Sequence, residues 1–156
     1  MTHHIAPVAT ADDLGAVRAL FRAYADGVGV DLSYQDFAGE LAGLPGKYAP
    51  PRGALLLARD PAGTPLGCVA LRPLGDAGEM KRLYVAPAAR GLGLGVALMR
   101  AIIGEARRIG YRAVRLDTLP DMAAARAMYA AAGFRPIAPY YAGAAPGTIF
   151  LELPLA

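Results

Sequence analysis

Three glycines alternate in the run Arg90-Gly91-Leu92-Gly93-Leu94-Gly95, and a long amphipathic helix signal starts inside it. Val96, Met99, Ile103 and Ala106 share one face of a helix expected over Leu94 to Ile109, with Gly110 as its stop. Alternating glycines let a backbone turn sharply and let a ligand reach the amides with no Cβ in the way. The first N–H groups of a helix have no internal partner and stand at the positive end of its dipole. The combination predicts an anion cradle suited to phosphate or pyrophosphate. Arg90 stands at its mouth and can add a charge-assisted bond. A turn that only reverses the chain needs one glycine, or two.

The flanking segments show what such a cradle is set into. Ile5 to Ala9 reads as a short strand. Asp12-Asp13 then offers an N-cap to a helix with Leu14, Val17, Leu20, Phe21 and Tyr24 on one face, ended by Gly27-Val28-Gly29. A second helix around Tyr34, Phe37, Leu41 and Leu44 is opened by Ser33 and ended by Pro45. Leu55 to Ala58 and Leu66 to Leu71 form a hairpin about the turn Asp60-Pro61-Ala62-Gly63, and Glu79 to Val85 continues the meander. After the glycine helix come a strand at Ala113 to Asp117, a helix at Pro120 to Ala132 closed by Gly133, and strands at Phe134 to Ile137 and Thr148 to Leu153. The order β-α-α-β-β-β-α-β-α-β-β is a mixed α+β architecture of about seven strands and four helices, expected as one domain over residues 1–156. Strand, helix and strand from Glu79 to Asp117 should form a right-handed parallel crossover.

Composition removes several functions. The single cysteine, Cys68, allows no internal disulfide and no Cys-built metal site, and His3 and His4 point to opposite faces of a strand, so no metal is expected. Cys68 sits within apolar Leu66-Gly67-Cys68-Val69-Ala70 and reads as a core residue rather than a nucleophile. The longest uncharged stretch, Pro136 to Leu151, is broken by prolines and glycines and is shorter than the ~20 apolar residues that span a bilayer. The N-terminus lacks a basic segment followed by an apolar one, so a cytoplasmic location is expected. Net charge is +3, with 14 of 16 basic residues Arg, but no basic stripe interleaved with aromatics marks a nucleic-acid partner. Walker-type nucleotide binding would need Gly-Lys-Ser/Thr. A dinucleotide fold would need G-x-G-x-x-G, and Val96 or Leu98 stands where its third glycine belongs.

Arg90-Gly91-Leu92-Gly93-Leu94-Gly95 resembles the R/Q-x-x-G-x-G/A acyl-CoA signature of the GCN5-related N-acetyltransferases, the GNAT superfamily. Ala127-Met128-Tyr129-Ala130-Ala131-Ala132-Gly133-Phe134 is similar to that family's "LY-x-x-x-GF" element, and the element order agrees over nearly the whole chain. The resemblance implies acetyl-CoA as cofactor. Its pyrophosphate would lie on the amides of Arg90, Gly91, Leu92, Gly93, Leu94, Gly95 and Val96, and its pantetheine arm would run along Leu83, Tyr84 and Val85. Tyr129 would protonate the departing thiolate. Glu79, at the start of the strand, is the candidate base that takes a proton from the acceptor amine. Many members carry Asn where this chain has Met122, so that contact to pantetheine is absent. The alanine run containing Ala124 would instead let coenzyme A pack close.

The implied activity is acetyl transfer to a primary amine of a small molecule, in a ternary complex that supplies proximity without a covalent intermediate. Peptide or protein N-termini and lysines are the enzymatic alternative, and a non-catalytic acyl-CoA sensor is the other. Tyr34, Tyr48, Tyr140 and Tyr141 are the candidates for lining the acceptor cleft, since loop aromatics line binding sites. A homodimer is a further possibility.

Overall fold

Strands and helices form where the two hydrophobic periods place them. The computed structural model describes residues 2–28 and 36–155. The elements are β1 (His4–Pro7), α1 (Ala11–Val28), α2 (Phe37–Ala42), β2 (Ala54–Arg59), β3 (Pro65–Leu74), β4 (Ala77–Val85), α3 (Leu94–Ile109), β5 (Ala113–Thr118), α4 (Ala123–Ala132), β6 (Arg135–Ile137) and β7 (Ile149–Pro154). A 3₁₀ turn covers Gly46–Tyr48. The seven strands make one sheet in the order β1-β2-β3-β4-β5-β7-β6. Only β4 and β5 run parallel, as the strand–helix–strand crossover requires.

Both faces of the β2–β4 half are buried, which is why β2 reads as a continuous apolar run rather than an alternating one. Leu56 and Ala58 pack with Leu98, Ile102 and Ala106 of α3 on one face. Leu55 and Leu57 pack with Val17, Leu20 and Phe21 of α1 on the other, beside Cys68 and Ala70. Cys68 is fully buried, and burial pushes its thiol up, as expected of a core cysteine.

Helix starts differ from the sequence reading in two places. The cap of α1 is Thr10, not Asp12-Asp13. Thr10 Oγ1 accepts from Asp13 N at 3.1 Å, and Asp13 Oδ2 accepts from Ala9 N and Thr10 N at 3.0 and 3.3 Å. This is a reciprocal capping box with Asp in the usual Glu position. Helix α4 starts at Ala123 rather than Pro120, because Pro120 to Met122 form a turn closed by Met122 N on Leu119 O. The expected helix start at Ser33 and Tyr34 lies outside the described residues.

A bulge in β4 organises the molecule. Across β3, Ala70 faces Lys81 and Cys68 faces Tyr84, so Val69 alone opposes Arg82 and Leu83. Arg82 holds φ at +60°, a left-handed conformation rare for a side-chain-bearing residue. Met80 packs on the α3 face and Lys81 on the other. Without the bulge, Arg82 would return to the α3 core. Instead its side chain joins Tyr24, Phe37 and Glu40 on the α1–α2 face, and Leu83 and Val85 return to the α3 face. Two consecutive basic residues therefore project from one side of the strand.

The bulge also parts the sheet. Strands β4 and β5 pair at only two positions, Gly78 with Val114 and Glu79 with Arg115. Beyond Glu79 they diverge, and each continues several residues without the other.

Candidate active site

The gap between the diverging strands opens into a cleft of about 620 Å³. Leu83, Tyr84 and Val85 form one wall, Leu116 to Thr118 the other, and α4 closes it with Ala123, Ala124, Ala125, Met128 and Tyr129. Ala86 N donates to Leu66 O of β3 at 2.8 Å. Strand alternation then turns the polar groups of Val85, and of Leu83 two residues back, toward the gap. Arg90 Nε donates to Val85 O at 3.0 Å, and its guanidinium lies 5.6 Å over the Tyr84 ring. This fixes the exposed Arg90 at the cleft's mouth.

The glycine run divides into two functions. Gly91 and Gly93 have φ near +80°, with open space where a Cβ would stand, so they are there for the backbone turn. Gly95 is already inside α3. A Cβ there would meet Met128 S and Val85 Cγ2 at 3.7 and 3.8 Å, ordinary contacts, but it would project into the cleft that Gly95 lines. Gly93 caps α3 without any side-chain bond, and the first intrahelical bond is Ala97 N to Gly93 O. The N–H groups of Leu94, Gly95 and Val96 thus remain to serve an anion. Leu94 itself is a buried core residue and Leu92 is exposed, so both contribute backbone only.

Tyr129 is buried at the far end of the cleft, edge-on to Phe134 with ring centroids 5.6 Å apart. Burial pushes its hydroxyl up, with smaller contributions from Tyr24 and Asp117, so the phenol keeps its proton.

Charges that are scattered in sequence meet on the open α1–α2 face of the sheet. Glu79 is 2% exposed. It accepts from Arg72 Nε at 2.8 Å and from the Tyr140 hydroxyl at 2.7 Å. Lys81 Nζ stands 3.7 Å from Glu79 and 3.8 Å from Asp117. Burial pulls the Lys81 ammonium down and the two carboxylates push it back up, leaving it below its ordinary value. Asp117, at the end of β5, lines the cleft and accepts from the Tyr141 hydroxyl. On the other side of Arg82, Glu40 takes both Nε and Nη2 of that guanidinium, at 2.9 and 3.0 Å. Burial lowers the Arg82 guanidinium and Glu40 outweighs it, so the group ends up above its ordinary value.

Of the residues chosen from sequence, Leu83, Tyr84, Val85, Arg90, Gly95, Ala124 and Tyr129 all line the cleft. Glu79 does not line it, but its carboxylate lies 3.7 Å from the ammonium of Lys81, which does. Tyr140 and Tyr141 pack with Phe150 at 5.0 and 5.2 Å and spend their hydroxyls on Glu79 and Asp117. Tyr48 is buried against Phe21, away from the cleft, and Tyr34 lies outside the described residues. Arg72, Lys81, Asp117 and Glu40 were missed. The one signal for them was the pair Lys81-Arg82, two consecutive charges inside an otherwise buried strand.

The acetyltransferase (GNAT) family model matches residues 16–134. An uncharacterized N-acetyltransferase of Schizosaccharomyces pombe is 42% identical over 151 residues, 96% of this chain and 93% of that one. A GNAT-family acetyltransferase of Staphylococcus aureus superposes with a TM-score of 0.83 at 18% identity, covering 99% of this chain and 100% of its own. The PaiA N-acetyltransferase of Thermoplasma acidophilum, in complex with coenzyme A, superposes with a TM-score of 0.76 at 16% identity over 99% of each chain.

Proposed function

Since the chain belongs to the acetyltransferase (GNAT) family, we propose that it transfers the acetyl group of acetyl-CoA to a primary amine of a small molecule, by direct attack while both are bound. The observation that carries this reading is the continuous cleft from the bare N-terminus of α3, through the β4–β5 gap, to Tyr129. Its parts suit coenzyme A. An anion site stands at one end, strand-edge polar groups and small α4 side chains run along the middle, and a phenol waits at the other end.

Acetyl-CoA, when bound, supplies an activated thioester carbonyl. The amides of Leu94, Gly95 and Val96, with Arg90, are the groups to hold its phosphates. Leu83 and Val85 offer strand-like pairing to the arm, and Ala124 leaves it room. Tyr129 keeps a proton available for the leaving thiolate. The attacking amine must be neutral. Glu79 is the sink for its proton, and the Tyr140 hydroxyl that donates to Glu79 is the relay: Tyr140 takes the amine's proton as it passes its own to Glu79.

Thiol release from acetyl-CoA over a panel of small amines and N-terminal peptides tests the reading. Turnover with small amines is expected. Turnover confined to peptides would move the acceptor class, and tight coenzyme A binding with no turnover on any amine would favour a sensor.

A further inference from the structure

A second cavity, of about 270 Å³, lies under α2 and the 3₁₀ turn on the open face of the sheet. Gly39, Gly43 and Gly46 line it and leave it roomy; Glu40, Lys47, Tyr48 and Arg72 give it its chemistry. Tyr48 is 2% exposed, and its hydroxyl has no hydrogen-bond partner among the described residues. Burial pushes that hydroxyl up, followed by the charges of Glu40, Arg82 and Arg72 and a weak hydrogen-bonding influence of Glu40, whose carboxylate stands beside the hydroxyl without closing a full hydrogen bond. A buried hydroxyl without a full hydrogen bond is costly, so its retention points to a partner that arrives from outside the fold.

Arg72 supplies the complement. Its Nε is committed to Glu79, its two terminal nitrogens make no hydrogen bond among the described residues, and the residue lines this cavity. That edge of a guanidinium matches a carboxylate in a fork. The acidic groups nearby are already occupied or turned aside. Glu40 is held by Arg82. The Asp36 carboxylate is folded onto α2 and occupies the space a Cβ on Gly39 would need.

We propose that this cavity seats a carboxylate carried by the acceptor, held by the Tyr48 hydroxyl and the free edge of Arg72, so that the substrate is an amino acid-like amine. The proposal rests on the acetyltransferase reading for the fate of the amine, but not for the binding of the carboxylate. Arg72 ties the two together, since the same guanidinium that meets the carboxylate orients Glu79.

The test uses matched amines, an amino acid, its amide and O-phosphoethanolamine, in two measurements on the whole protein. The first is kcat/KM with acetyl-CoA, and the second is the shift in Tm with the amine alone. The free acid is expected to exceed the amide by about tenfold or more in kcat/KM, since a site built to bond a group rejects the analogue lacking it. Tyr48→Phe should erase most of that preference through KM, keep kcat, and leave the Tm of the free protein unlowered. Arg72→Lys keeps a charge beside Glu79 but loses the fork, and should erase the preference too. Equal use of acid and amide, a better phosphate substrate, or a Tyr48→Phe variant that loses Tm while its preference is unchanged would each overturn the proposal. If no amine turns over, yet the acid raises Tm in the wild type and not in Tyr48→Phe, the carboxylate seat stands and the acetyltransferase reading fails.

Discussion

Tyr129 and Glu79 are the two residues on which the chemistry turns, and they differ in how they reach it. Tyr129 lines the cleft, so Tyr129→Phe should remove the proton donor and little else. A loss of about 10²-fold or more in kcat is expected, with coenzyme A affinity unchanged by titration calorimetry. Wild-type kcat in that variant removes Tyr129 from the mechanism. Its raised hydroxyl adds a pH signature. An ordinary tyrosine loses its proton near pH 10, and this one holds it past that point, so kcat should show no tyrosine-like decline on approaching pH 10. Glu79→Gln should also lower kcat, and Tyr140→Phe should match it if the Tyr140 hydroxyl that donates to Glu79 relays the proton. The glycine run at Gly91 to Gly95 and the segment around Tyr129 stand out in sequence because each motif is contiguous. Arg72, Lys81 and Asp117 come from three strands and become neighbours only when the sheet forms, so no window of sequence displays them.

At the scale of elements, helix starts are the places where local chemistry was misread. Two adjacent acids before an apolar period suggested an Asp cap, yet Thr10 supplies the cap and Asp13 closes the box from inside the helix. Thr10→Ala should cost about 1 kcal/mol of stability by urea unfolding. The Ala9 N–H, and then Arg59, hold the Asp13 carboxyl down to about 2. Its folded value lies below its unfolded value, so its contribution is complete above about pH 4 and is lost as pH falls toward 2. The stability gap between wild type and Asp13→Asn should therefore be present at pH 7 and close through that window. Helix α4 is a different case. Of its alanines, Ala123, Ala124 and Ala125 line the cleft, which the compositional bias of the chain disguises. Ala124→Leu should weaken coenzyme A binding by about tenfold or more while leaving the melting temperature of the free protein nearly unchanged. Unchanged affinity would mean that the arm does not pass along α4.

The whole molecule is two sheet halves joined at a narrow seam. On one face the seam is crossed by the apolar core under α3, where Leu98 and Ile102 sit in one cluster with Val114, Leu116 and Leu151. On the other face it is crossed by charges, Glu79 to Lys81 to Asp117. Backbone pairing crosses it at only two positions. The family resemblance implies that β4 and β5 splay apart, but the bulge that opens the seam has no residue pattern of its own, because strand β4 looks like an uninterrupted apolar and charged run. A ligand that pairs with Leu83 and Val85 from within the gap would supply the cross-strand bonds the sheet lacks there. Two consequences follow for coenzyme A binding, and they should appear together. Binding to the folded state alone raises stability by about 2.7 kcal/mol at a hundredfold excess over Kd, so Tm should climb with ligand concentration. Amide hydrogen exchange should slow at Leu83 and Val85 and at the first turn of α3 by more than the global rise in stability accounts for, and in β1 and β2, which are remote from the gap, by no more than that rise. Protection at Leu83 and Val85 no greater than in β1 and β2 would instead mean that the seam is not where the ligand binds.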